Sequence, residues 1–273
     1  MAKSVWGEGS GAGTDHNLGT AINWTGDTLP ANDDTVVFNE TCVEDATDGL
    51  DMSAKHFAQV QIAAGYTGNI GADDGPLLVS SAADTGTVIM NGSGEVYVSG
   101  QIAQVVQFDG TLGVGDDIAT LNVFGGACEV LASAAVGAIV LGQSGSAEAP
   151  TLAVPATATI GAVACFKGTG TCEAPVTTLD VLGGTWNQSD DVTTLSEKAG
   201  TVNWTDGDIT TARCYGGTLD GSAGEAARTI TLLERFTSSS VNLANGVFNI
   251  VVTTDRCFGG TEVLDAGREY SLS

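Results

Sequence analysis

Short runs in which apolar and polar residues alternate recur along the chain, and helical spacing is nearly absent. In Glu95-Val96-Tyr97-Val98-Ser99 the apolar side chains fall on every second position, as in a strand with one buried face. Comparable runs predict strands at Thr35–Phe38, Ala58–Ile62, Leu77–Ser80, Thr87–Met90, Glu95–Ser99, Val105–Phe108 and Thr120–Phe124. They continue at Ala138–Leu141, Thr151–Val154, Thr178–Leu182, Thr201–Trp204, Thr229–Leu233 and Val247–Val252. Gly, Asp, Asn and Ser separate them and supply turn backbone. The fold class is therefore all-β, as a solenoid, a sandwich or a barrel.

A repeated corner favours the solenoid. Val123-Phe-Gly-Gly-Ala, Val181-Leu-Gly-Gly-Thr, Cys214-Tyr-Gly-Gly-Thr and Cys257-Phe-Gly-Gly-Thr share one pattern: two apolar residues, two glycines, one small residue. Their first glycines lie 58, 33 and 43 residues apart, which fits whole multiples of a coil of roughly 17 to 22 residues. Asn-Trp-Thr also occurs twice, at Asn23 and Asn203. The Asn-Gly and Asp-Gly pairs that a sandwich would use as hairpins serve equally as solenoid corners. A parallel β-helix or β-solenoid with capped ends is the expected fold, and a β-sandwich is the alternative.

Three regions are expected. Residues 1–34 read as an N-terminal arm or cap, with 7–14 flexible by composition. Residues 35–224 form the solenoid body, and 225–273 a terminal β segment that is a candidate docking region. Gly224-Glu-Ala-Ala-Arg228 is the best place for a short helix or a break in the stack.

Composition narrows the function classes. The net charge is −24, from 33 acids against 9 bases, which repels nucleic acid and anionic membrane. No run of 18 apolar residues is present, so no membrane span is expected. Met1-Ala-Lys-Ser-Val-Trp6 lacks the apolar segment of a secretory leader, so synthesis in the cytoplasm is expected. Residues 1–212 contain Lys3, Lys55, Lys167 and Lys198 but no arginine, whereas Arg213, Arg228, Arg235, Arg256 and Arg268 crowd the remainder. Arginine is a favoured interface residue. Arg228, Arg235, Arg256 and Arg268 are accordingly interface candidates, and Trp6, in the arm, is a fifth.

Candidate chemistry is sparse. Without a leader the six cysteines are expected to be reduced, and Cys214 and Cys257 stand where Val123 and Val181 stand, so both are expected in the core. Cys165 and Cys172 could close a small loop if oxidised. Acid pairs at Asp33-Asp34, Asp73-Asp74, Asp116-Asp117 and Asp190-Asp191, with Asp206-Gly-Asp208, could suit calcium, but solvated turns explain them more simply. No catalytic residue, cofactor or metal is expected. Gly142-Gln-Ser-Gly145 is not a nucleophile elbow, and neither His16 nor His56 lies downstream of it. Trp186 and Trp204 are expected in the core or at corners.

Trp24-Thr-Gly-Asp-Thr-Leu-Pro30, then Asp33-Asp34-Thr-Val-Val-Phe38 and the four Gly-Gly corners, together resemble the β-solenoid structural proteins of tailed-bacteriophage virions. Head decoration (cement) proteins and fibre shafts are the nearest in style, and a similar opening occurs in autotransporter passenger solenoids. The resemblance implies a non-enzymatic virion protein that binds the major capsid protein, across capsomer boundaries, or other virion proteins, as a homo-oligomer, most simply a trimer. The alternative is a glycan-binding or glycan-cleaving β-helix of a tail fibre or tailspike.

Overall fold

In the computed structural model of the chain the described residues are 2–10, 16–41, 44–80, 85–224, 226–245, 247 and 249–263. They divide into two compact units, Met1–Gly137 and Ala138–Ser273. The region boundaries expected at 34 and 224 fall inside these units. Both units are parallel β-solenoids, and no α-helix occurs among the described residues.

In the N-terminal unit the strands are β1 (Lys3–Val5), β2 (Thr35–Phe38), β3 (Asp51–Met52), β4 (Gln59–Ile62), β5 (Leu77–Val79), β6 (Thr85–Met90), β7 (Glu95–Ser99), β8 (Ile102–Gln107), β9 (Thr111–Gly115), β10 (Asp117–Val123) and β11 (Ala127–Val130). Each coil contributes to two parallel sheets. One runs β1-β2-β4-β6-β8-β10 and the other β3-β5-β7-β9-β11. The partners Thr87 and Gln104 are 17 residues apart, and Ile102 and Ile118 are 16 apart. The first coils are longer: Lys3 pairs with Thr35, and the chain between them makes two short 3-10 turns, Ala21–Asn23 and Thr25–Asp27.

Strand β12 (Ala135–Leu141) contains the boundary between the units. The C-terminal unit continues with β13 (Thr151–Val154), β14 (Thr159–Cys165), β15 (Thr169–Cys172), β16 (Val176–Val181), β17 (Thr185–Gln188), β18 (Val192–Glu197), β19 (Thr201–Trp204), β20 (Ile209–Asp220), β21 (Arg228–Asn242), β22 (Ile250–Cys257) and β23 (Thr261–Val263). Strands β20 and β21 are long because each runs through a corner and serves both sheets.

The coil length explains the repeated corners. Thr185, Thr201 and Thr218 are register partners 16 and 17 residues apart, so the 33-residue gap between two Gly-Gly corners is two coils. Thr218, Ser240 and Thr261 step by 22 and 21, so the 43-residue gap is two wider coils. The extra residues enter where a helix or break was expected. Residues 221–224 form a turn instead, and Ile209 still pairs with Ile230 beyond it. The second glycine of each corner has a backbone conformation that L side chains rarely adopt, with φ of 72° at Gly126 and at Gly184. A Cβ on Gly184 would also lie 2.6 Å from the carbonyl oxygen of Gly168 in the coil below.

On β14, β16 and β18 the core follows a pattern of i, i+3, i+5, whereas β13, β15, β17 and β19 alternate strictly. Val176, Leu179 and Val181 point inward on β16, and Val192, Leu195 and Glu197 do so on β18. Two adjacent residues, Thr177-Thr178 and Thr193-Thr194, face outward between the first two inward positions. Asn-Trp-Thr is not a coil repeat. Trp204 ends a parallel strand, whereas Trp24 follows a 3-10 turn and bridges Trp6 in the antiparallel sense.

Candidate interaction surface

Trp6 corrects the expectation of an exposed anchor. β1 is a strand of the sheet, and the indole that follows is 0% exposed, packed edge-on against Trp24 at 5.4 Å and tilted against Phe38 at 6.3 Å. Gly7 N–H donates to Asn23 O, and Ser10 N–H donates to Asp27 Oδ1, so this stretch is tied down up to residue 10. Residues 11–15 lie outside the described residues.

The five arginines divide by location. Arg228 is a buried closure of the widened corner: it donates to the carbonyls of Trp204 and Gly221, and its guanidinium lies 4.3 Å from the Trp204 ring centroid. Arg235 is buried at an inward corner position and donates from Nε to Asp255 Oδ1 at 3.1 Å. Neither guanidinium is offered to a partner. Arg213 and Arg256, with side chains 41% and 59% exposed, point outward and hold Glu234 between them. Arg213 Nε donates to one carboxylate oxygen at 2.8 Å and an Arg256 amino group donates to the other at 3.2 Å. The bond from Arg213 holds the Glu234 carboxyl below its ordinary range, and Arg256 adds to this. Arg268 lies outside the described residues.

Beside this row runs a file of rings that the sequence reading did not assemble. Tyr215 and Phe236 stack at 4.6 Å with planes 19° apart, and Phe236 and Phe258 at 5.0 Å with planes 18° apart. Tyr215 is 40% and Phe258 57% exposed. Tyr215 and Phe258 occupy the second position of the corner motif, and Phe236 holds the equivalent place in the coil between them, where Ser238 and Ser239 are the register partners of Gly216 and Gly217. The signal was present in the repeat: the first residue of the motif was read as inward, and the second is therefore outward.

The N-terminal unit has an acidic counterpart. Tyr97 lies flat across Gly113, where a Cβ would come within 2.3 Å of its ring. Desolvation, then Glu95, Glu129 and Asp73, push its phenol above the ordinary value. Nearby, a cleft of about 280 Å³ is lined by Gly100, Gln101, Asp116, Asp117 and Ser133. At its edge Ser99 Oγ donates to Asp116 Oδ2 at 2.6 Å. The imidazole that would activate such a serine is elsewhere: His16 Nδ1 is 2.8 Å from Asp45 O, and His56 Nε2 is 3.6 Å from Asp33.

Several candidate groups serve the frame. Asp191 Oδ1 accepts from the backbone N–H of Asp208, and Asp208 Oδ1 from that of Thr229, each at 2.7 Å, so these carboxylates cap successive coils. Among the described residues no three His, Cys, Asp or Glu converge as a metal site would require. Cys128, Cys165, Cys172 and Cys214 are buried free thiols. Burial pushes Cys165 and Cys172 up to about 11 and Cys214 to about 12, so none is a thiolate nucleophile. Cys257 is free and exposed, against the expectation of a core position. Its strand, β22, is the last of its sheet among the described residues. Cys42 lies outside the described residues.

The fold defines the class: a parallel β-solenoid whose side-chain hydrogen bonds run largely from coil to coil. No protein-family model, curated protein or solved structure matches the chain.

Proposed function

We propose that the chain is a structural protein of a virion, a decoration protein that stabilises a tailed-phage head by bridging capsid subunits. The observation that carries this reading is the use made of polar side chains. Asn203 Nδ2 donates to Asn187 Oδ1 at 2.7 Å, and Asp191 and Asp208 cap the coils beside them. Gln107 Nε2 donates to Gly110 O and Ala127 O at 2.9 and 2.8 Å. These bonds stiffen a stack of coils, which suits a load-bearing part. A ligand that binds only the assembled lattice stabilises that lattice by mass action. Removing residues 1–20 would delete β1 and a core tryptophan, so the N-terminus is unsuitable as a docking test. The direct test adds purified protein to heads that lack it and measures cosedimentation and heat resistance of the particles. Saturable binding that raises the rupture temperature is expected. Protein that stays in the supernatant while being retained on, or digesting, host envelope polysaccharide would replace this reading with that of a tail-fibre glycan module.

A further inference from the structure

Three consecutive coils of the C-terminal unit repeat a charged residue, an inward residue and an aromatic residue. They are Arg213-Cys214-Tyr215 on β20, Glu234-Arg235-Phe236 on β21 and Arg256-Cys257-Phe258 at the end of β22. Residues i and i+2 of a strand share a face. The outward side chains therefore form two adjacent files, Arg213–Glu234–Arg256 and Tyr215–Phe236–Phe258. Ring stacking at 4.6 and 5.0 Å turns the ring faces toward one another and leaves the edges outward. A ring edge is the positive part of the aromatic quadrupole. Glu234 neutralises one of its two guanidinium partners, so the row keeps a surplus positive charge. Edges and guanidiniums together make an electropositive, partly apolar patch on a protein of net charge −24. Aromatic residues and arginine are also the side chains that dominate binding hot spots.

The complementary chemistry exists in the same chain. Residues 1–137 contain eighteen Asp and Glu against two Lys. On the β7–β9–β11 face Glu95 and Glu129 flank Tyr97, giving carboxylates around an aromatic ring. We propose that the Arg213–Arg256 and Tyr215–Phe258 patch binds the Glu95–Tyr97–Glu129 face of a second copy, head to tail. Such an interface is heterologous, so it closes into a ring such as a trimer or continues as a filament. Long-range repulsion between two strongly negative chains opposes it. Association therefore needs enough salt to screen beyond about 10 Å, the Debye length near 0.1 M.

The test is sedimentation velocity of the full chain across a concentration series at about 0.15 M salt, with reductant present because Cys257 is exposed. Wild-type protein should exceed monomer mass. Arg213→Ser with Arg256→Ser, and separately Glu95→Gln with Glu129→Gln, should each weaken association by about tenfold or more. Phe258→Ser should act like the arginine pair. These side chains face outward, so circular dichroism should match the wild type; melting should match for the Glu95/Glu129 variant and fall modestly for the arginine variant, which leaves the Glu234 carboxylate without its two partners. Mixing the patch variant with the acid-face variant leaves one intact interface per pair, and should yield a heterodimer that grows no further. A monomer at every concentration overturns the proposal, as does association that none of the variants weakens. Head binding by a strictly monomeric chain would overturn this inference and leave the virion reading standing.

Discussion

Glu197 occupies a position that another coil gives to an amide. On β8, Gln107 points into the corner and donates to the carbonyls of Gly110 and Ala127, three and twenty residues further on. On β18, Glu197 ends its strand in the same way, 0% exposed, and the corresponding residues are Gly200 and Gly217. Neither carboxyl oxygen has a hydrogen-bond partner. Cys214 is its register neighbour, and Arg235, the next cation in that file, is committed to Asp255. Burial pushes the carboxyl up to about 8. The folded state therefore holds a proton that an unfolded Glu, with its ordinary value of 4.5, has released. The contribution to stability is intact below that value and is lost as pH rises through about 8, by up to roughly 1.4 kcal/mol per pH unit. Denaturant titrations at pH 5, 7 and 9 should show wild-type stability falling relative to Glu197→Gln, whose amide can donate at every pH. Parallel pH profiles for the two proteins would rule this out. The thiols give a second prediction at this scale. A maleimide should label Cys257 in the native protein, and Cys128, Cys165, Cys172 and Cys214 only after unfolding, as read by peptide mass.

At the scale of the element, the Gly-Gly corner is the feature that most constrains the coil. Gly184 combines positive φ with a Cβ position 2.6 Å from Gly168 O, whereas Gly145 has φ of 83° and open space. Both alanine substitutions incur the left-handed backbone cost of about 1–3 kcal/mol. Only Gly184→Ala adds a backbone clash, so its denaturation midpoint should fall further than that of Gly145→Ala. Equal losses would show that stacking of the corners contributes nothing. This physics is why the corners were legible in the sequence: glycine is favoured there and recurs, although Ser238 and Ser239 take the same places in the β21 coil. The strands at 151–154 and 201–204 were legible for a similar reason, since one face of each is buried, and the strand at 35–38 as an apolar run, Val36-Val37-Phe38, buried on both faces. Positions set by tertiary packing were not. Trp6 lies in a glycine-rich stretch that reads as an arm, yet Trp24 and Phe38, distant in sequence, enclose it. Arg228 reads as a surface charge, and only the widened corner supplies the carbonyls that bury it. The ring file needed register, because Tyr215 and Phe258 are 43 residues apart and meet only through Phe236.

For the whole molecule, charge is the dominant global property. Thirty-three acids against nine bases give a pI near 4.1, and parallel stacking sets equivalent side chains about 4.8 Å apart in neighbouring coils. Carboxylates such as Asp191 and Asp208 therefore face one another well inside the Debye length. An unfolded chain spreads the same charge over a larger volume, so self-repulsion lowers the stability of the compact state. Screening should relieve it: raising sodium chloride from about 20 to 200 mM should raise the melting temperature. The sign separates this from a fold held mainly by surface ion pairs, which salt would weaken. Among the described residues the ion pairs between side chains are few and concentrate on Glu234 and Asp255. The two pH-sensitive effects also separate. Repulsion among ordinary carboxylates is fully developed once those groups are ionised, by about pH 6, whereas the difference between wild type and Glu197→Gln continues to grow up to about 8. A melting temperature that falls with salt would mean that the arginine clusters of the C-terminal coils outweigh the repulsion of the remaining acids.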